Sequence, residues 1–278
     1  MKNFFILIIS LLSISFIKAQ DNKTLPEKEF SLIIGPSFTN IKNDNIEFDK
    51  YASPKGTIWF NAGINYCKYF NKNLGFITGL EYSMYKNVTT YKGAFRSEEK
   101  SVDSDGYLYY AVSEANYKDT RTVHCAEVPL GLRLQVPGND NFQFFVDLGL
   151  RLNFIATAKI EKTGTLDKKG AYPHNVYDNV YIYIERDPYY GFTNTTYSSK
   201  IDIPVNRLGL GYFVGGGLKA KLAENKYIVI NPTYISGITD FVNKSNQSDY
   251  VNVFGEKSAY KKFTLTQFAL RIGIVFAL

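Results

Sequence analysis

Two histidines and two cysteines are all the imidazole and thiol that the 278 residues carry. His124 sits in the stretch Thr122-Val123-His124-Cys125-Ala126. Acyl hydrolysis at such a histidine needs a hydroxyl nucleophile within hydrogen-bond reach. Side chains alternate along a strand, so its same-face neighbours are Thr122 and Ala126, and no nucleophile stands at position i+2. His174 falls in a tyrosine-rich polar stretch and reads as an exposed loop residue. Together with Cys67 and Cys125, the histidines are too few and too scattered for a zinc site. The loop carboxylates lack the spacing of a calcium loop. The sequence thus points to no catalytic set, no metal and no cofactor, and the chain reads as non-enzymatic. What it does repeat is charge inside apolar stretches. Glu81, Glu127 and Asp147, with Arg133, Arg151, Arg207 and Arg271, each interrupt a greasy run, and Lys219 and Lys221 do the same.

Those runs have a period of two, the mark of a strand with one apolar face. Between 142 and 154, Phe142, Phe144, Val146, Leu148, Leu150, Leu152 and Phe154 share a face, while Asp147, Gly149, Arg151 and Asn153 lie opposite. Similar stretches fall near 30–38, 58–70, 74–84, 125–136, 207–221, 227–238 and 267–278. Eight strands result. The polar turns at 71–73, 137–141 and 224–226 are short, whereas the connections at 41–56, 89–120, 160–204 and 240–262 are long. Short and long alternate, so an up-and-down order places every long loop at one end.

Export is written at the N-terminus. Met1-Lys2-Asn3 is a short basic start, Phe4 to Ile17 is apolar, and Lys18-Ala19-Gln20 breaks the run. About 14 apolar residues are too few for a membrane helix, and the pattern is that of a secretory signal cut near Ala19. The domains read as a signal peptide at 1–19, a short periplasmic segment at 20–29 and a barrel at 30–278. Lys2 and Lys18 leave with the signal, which lowers the formal net charge from +6 to +4. The remaining Lys and Arg are dispersed, and with export this makes nucleic acid an unsuitable partner. Mean hydropathy of −0.18 excludes a bundle of membrane helices.

Alternation alone fits a soluble barrel, apolar inside, as well as a membrane barrel, apolar outside. Three features select the second. Glycine crowds the polar face, and space is tight inside eight strands. That face mixes acids and bases, which a narrow lumen pairs with one another. The apolar face carries no charge within the strands. The expected class is all-β: an eight-stranded antiparallel up-and-down transmembrane β-barrel with four long extracellular loops and three short periplasmic turns. It belongs in the outer membrane, in contact with its lipid. Glu81, Glu127, Asp147, Arg133, Arg151, Arg207 and Arg271 are expected to form an ionic network filling the lumen. Cys67 and Cys125 share the lumen face at different heights and are expected as two free thiols. Tyr66, Phe70, Tyr82, Tyr212 and Tyr227 are candidates for interfacial girdles.

The eight alternating strands, the secretory signal and the closing strand resemble the PorT-like outer-membrane β-barrel family, of the small eight-stranded kind found in diderm bacteria. That resemblance implies a link to protein secretion. The ending also resembles the signal read by the barrel-assembly machinery, carried here by Arg271, Gly273, Phe276 and Leu278, with Leu278 where many barrels close on an aromatic. The expected function is a non-enzymatic barrel whose surface loops bind a partner or support an envelope or secretion assembly. The alternatives are a narrow solute channel and a lipid-modifying outer-membrane enzyme.

Overall fold

The computed structural model describes residues 27–43, 52–102, 106–136, 141–172, 182–184, 194–242 and 263–278. The signal peptide and its cut site lie outside these residues. Ten strands form: β1 Lys28–Asn43, β2 Ala52–Tyr69, β3 Leu74–Val102, β4 Leu108–Val136, β5 Phe142–Tyr172, β6 Ile182–Ile184, β7 Asn194–Asp202, β8 Leu208–Ala223, β9 Lys226–Gly237 and β10 Phe263–Ala277. Eight of them close a ring in the order β1-β2-β3-β4-β5-β8-β9-β10, all neighbours antiparallel. β6 and β7 pair with the far half of β5, outside the ring.

The seam is the pairing of β10 with β1, from Glu29 opposite Ala277 to Asn43 opposite Phe263. Leu278 N donates to the Lys28 carbonyl at 2.9 Å, so the ladder runs to the last residue. Closure satisfies backbone groups that lipid could not.

The turns at one end follow from their residues. Asn71 Oδ1 accepts from the amides of Asn73 and Leu74, each at 2.9 Å, which folds β2 back into β3. Asn225 takes the left-handed conformation between β8 and β9, φ 60°, which asparagine tolerates.

Polarity is inverted relative to a soluble barrel. Leu32, Ile34, Phe60, Leu80, Leu132, Leu150, Leu270 and Ile272 face outward and are largely exposed, Ile34 at 59% and Phe60 at 60%. Glu81, Glu127, Asp147, Arg133, Arg151, Lys219 and Arg271 are buried inside. A surface of that kind is stable only in lipid.

Three sequence expectations change. The connections expected at 89–120 and 160–204 are largely strand, because β3, β4 and β5 run 29, 29 and 31 residues. Their upper halves pair with each other, Phe95–Val102 of β3 with Leu108–Ala115 of β4 and Tyr110–Thr122 of β4 with Lys159–Ala171 of β5. Lipid needs an apolar face only over the roughly 9–11 residues that cross it. Beyond that height both faces are polar and the strand loses its periodic signature. Second, β1 begins at Lys28 rather than residue 30. Third, β2 carries an extra residue between Gly56 and Asn61, a bulge that the alternation conceals.

Candidate functional site

The inward side chains stack in layers. Nearest the short turns, Arg133 grips Asp147 with two bonds, Nε to Oδ1 at 2.7 Å and Nη2 to Oδ2 at 2.9 Å. Its Nη1 also reaches Glu29 Oε2 at 3.3 Å. Lys219 Nζ donates to Glu29 Oε1 at 2.6 Å and to the Tyr69 hydroxyl at 3.1 Å, and also to Gln135. The Arg133 guanidinium lies 4.2 Å from the Phe145 ring centroid. Planar, bidentate pairing of this kind is what arginine does best when desolvated.

One layer up, Arg151 bridges two carboxylates. It pairs with Glu81 through Nη2 and with Glu127 through Nη1 at 2.9 Å. Arg271 Nη1 meets the other oxygen of Glu81 at 2.8 Å, and its Nη2 pairs with Thr233. Ser83 and Tyr85 each donate to Glu127 at 2.6 Å, and Asn65 donates to Glu81 at 3.2 Å. Four carboxylates, Glu29, Glu81, Glu127 and Asp147, thus face four cations, Arg133, Arg151, Lys219 and Arg271. The two layers are electrically balanced, as burial demands.

Glycine makes room for them. A Cβ on Gly131 would stand 2.8 Å from the Phe213 ring and 2.4 Å from the Leu148 carbonyl oxygen. One on Gly217 would stand 2.6 Å from the Phe145 ring. The Phe213 and Phe145 rings thus occupy space that side chains at 131 and 217 would need.

An apolar layer covers the ions on the long-loop side. Ile41, Val123, Cys125, Ile155, Ile160, Phe263 and Leu265 project from the wall. Ile203, Phe241 and Val242, from the segments that precede β8 and follow β9, pack among them. An isolated bridge between Val205 and Val242 and a 2.8 Å bond from Asn206 N to the Phe241 carbonyl tie the two segments together.

Above this layer stands a wall built from β3, β4, β5 and β7. Tyr91 and Tyr117 stack at 4.3 Å between ring centroids. Gly164 is Tyr117's partner on β5 and Tyr197 its partner on β7. Asp119 and Arg121 pair at 3.2 Å, and the Arg121 guanidinium lies 5.3 Å from the Phe263 ring centroid. Burial raises the Asp119 carboxyl above its usual range, against the lowering pull of Arg121 and Lys162. Burial likewise pushes the Tyr197 phenol up to about 12. A cavity of about 560 Å³ is lined by this wall, including Thr90, Tyr91, Tyr117, Gly164 and Thr196.

The residues singled out in the sequence fall as follows. Glu81, Glu127, Asp147, Arg133, Arg151 and Arg271 converge in the two layers. Arg207 does not: it is exposed at the mouth end of β8, and its Nη1 reaches the Ala156 carbonyl at 3.5 Å. Alternation assigns it an inward parity but not where the strand ends: Arg207 precedes β8, level with Ile155, and its side chain is exposed. Lys221, at the opposite rim, is also exposed. Glu29 falls outside the expected strand, which starts at residue 30, two residues after Lys28; its parity with buried Ser31 and Ile33 is the signal that marks it as inward. Cys67 and Cys125 are free and buried. His124 shares a 2.6 Å hydrogen bond with the Tyr82 hydroxyl on the outer face. Gly273 lies where a Cβ would strike the Leu32 carbonyl oxygen at 2.1 Å, so glycine there is imposed by the seam. Leu278 is exposed beyond it. His174 lies outside the described residues, and among those described no group of histidine, cysteine and carboxylates could hold a metal.

Comparison with known proteins places residues 19–184 on the family model for the outer membrane protein beta-barrel domain. No curated protein matches. Among solved structures the chain is similar to Ail, the attachment invasion locus protein of Yersinia pestis, at 15% identity, covering 90% of this chain and 99% of that one with a TM-score of 0.31. It is also similar to OprG from Pseudomonas aeruginosa, at 12% identity, covering 92% and 98% with a TM-score of 0.35. Neisserial surface protein A matches at 9% identity, covering 90% and 97% with a TM-score of 0.35.

Proposed function

This chain belongs to the outer membrane protein beta-barrel domain family, and from that premise we propose that it is a non-enzymatic surface barrel whose extracellular sheet binds a partner or supports an envelope assembly. One observation carries the reading. β3, β4 and β5 continue far past the height that lipid requires and build a cross-paired wall of tyrosine, threonine and charge. Paired strands hold such a surface rigid, and tyrosine-rich surfaces suit recognition. The lumen below it argues for a structural role. A solute would have to cross two ion-paired layers and an apolar one. The PorT-like resemblance makes a secretion assembly the preferred partner class. In the same reading the N-terminal signal exports the chain, and Arg271, Gly273, Phe276 and Leu278 present the closing strand to the barrel-assembly machinery.

The test is cross-linking on intact cells followed by capture of the full chain. A variant with residues 92–116 replaced by Asn-Gly keeps the pair Tyr91–Tyr117 as the end of a shorter hairpin. It should still show the heat-dependent gel mobility of a folded barrel, yet lose the captured protein. Capture undiminished by that deletion contradicts the proposal.

A further inference from the structure

Where the outer face leaves the apolar belt on the long-loop side, it turns cationic. On β1 the outward residues run Leu32, Ile34, Phe38 and then, past Asn40, reach exposed Lys42. On β3 they run Leu80, Tyr82, Met84 and then half-buried Lys86. On β5 they run Leu150, Leu152, Phe154 and, past the register shift opposite His124 and Cys125, exposed Lys159. Lys55 on β2 and Lys118 on β4 stand exposed above the belt on their own strands.

Among the described residues, the cross-strand neighbours of most of these charges are not carboxylates. Lys42 faces Thr264, Lys55 faces Val88, and Lys86 faces Thr122. Lys118 lies between Thr90 and Thr163. Lys159 alone among the five faces an acid, Asp202 of β7, while Glu161 one row higher is matched by Lys200. Thr264 stands opposite Lys42, Thr122 opposite both Lys86 and Lys159, and Thr90 and Thr163 opposite Lys118, so four of the five cations have a hydroxyl residue across the ladder.

We propose that this collar binds the phosphates of the outer-leaflet lipid headgroups. The occupant follows from position and charge. The collar continues the surface that meets acyl chains, so the groups next to it are the headgroups of those same lipids. Phosphate takes hydrogen bonds from ammonium and hydroxyl donors together, and lysine holds it as a point charge. Each cation near an anionic membrane surface contributes about a fivefold gain in affinity. The collar therefore fixes the height of the barrel and sets the base on which the extracellular wall stands.

The test uses the full chain, folded in neutral detergent, titrated with bisphosphorylated lipid A or with its dephosphorylated form, bound lipid being counted by native mass spectrometry. The phosphorylated form should bind more tightly, and added salt should weaken it. The triple variant Lys42→Gln, Lys86→Gln, Lys159→Gln should lose affinity by about fivefold for each cation removed. A variant at the opposite rim, Lys68→Gln with Lys226→Gln, should bind as the wild type does. Equal binding of the two lipid A forms, or equal losses in both variants, overturns the proposal. Should the triple variant lack the heat-dependent gel shift, the salt titration of the wild type decides, and salt-insensitive binding overturns it as well.

Discussion

β5 crosses two environments, and its two halves follow different rules. From Phe142 to Phe154 every outward residue is apolar, and every inward one is polar, glycine or an aromatic ring lying over glycine. From Lys159 to Tyr172 lysine, glutamate and threonine appear on the outer face, and isoleucine, lysine and glycine on the inner. The lower half is dictated by its solvent. Lipid tolerates no charge outside, and a narrow lumen tolerates no unpaired charge inside, so each residue is constrained twice. The upper half has water available to it and is held by backbone ladders and a few contacts such as the Tyr91–Tyr117 stack. The stability of the barrel and the capacity of the surface for recognition are thereby separated by height.

The largest effect should come from breaking the lower half. Arg151→Met leaves Glu81 and Glu127 without their shared cation and should cost about 3–5 kcal/mol, read from denaturant unfolding in detergent. A loss no larger than that of a substitution in the upper wall would erase the distinction drawn between the two halves. Next, Gly131→Val forces a side chain against the Phe213 ring and the Leu148 carbonyl, and should cost about 1–3 kcal/mol by the same assay.

Smaller changes are expected above the rim. Tyr91→Leu keeps most of the apolar area but removes the stack on Tyr117, for a loss of about 0.5–1.5 kcal/mol with the barrel's heat-dependent mobility intact. Smallest of all is the response to a thiol reagent. Cys67 and Cys125 are buried in the lumen and should not react in the folded protein, while both should be alkylated after unfolding without a reductant. Reaction of either in the folded barrel would show a lumen more open than the packed layers allow.

The contrast also explains what could be read from sequence. Leu150 and Arg151 differ by one position and by 180° of direction, and that difference survives in any list of residues. The eight membrane strands and their inward charges were legible for this reason. Height was not. Arg207 and Arg151 have the same parity, yet one stands in solvent and the other between two carboxylates. Nor was the partner of each charge legible: Glu29 and Lys219 come from opposite ends of the chain and meet only because the ring closes. The hairpin of β3 and β4 was hidden because both faces of its strands are polar above the rim. Glutamate, serine and lysine in alternation carry no hydrophobic period.

The claim on which the account turns is that the charged face of the lower barrel points inward and the apolar face meets acyl chains. The chain has one tryptophan, so a Trp59→Phe background allows a single reporter to be placed at will. Leu150→Trp and Phe145→Trp lie on opposite faces of β5, five residues apart, half-exposed and buried respectively. In vesicles containing lipids brominated along the acyl chain, the fluorescence of the tryptophan at position 150 should be strongly quenched and that at 145 spared. Quenching at 145 with sparing at 150 would mean that the faces are reversed and that the barrel is not built for the membrane as described.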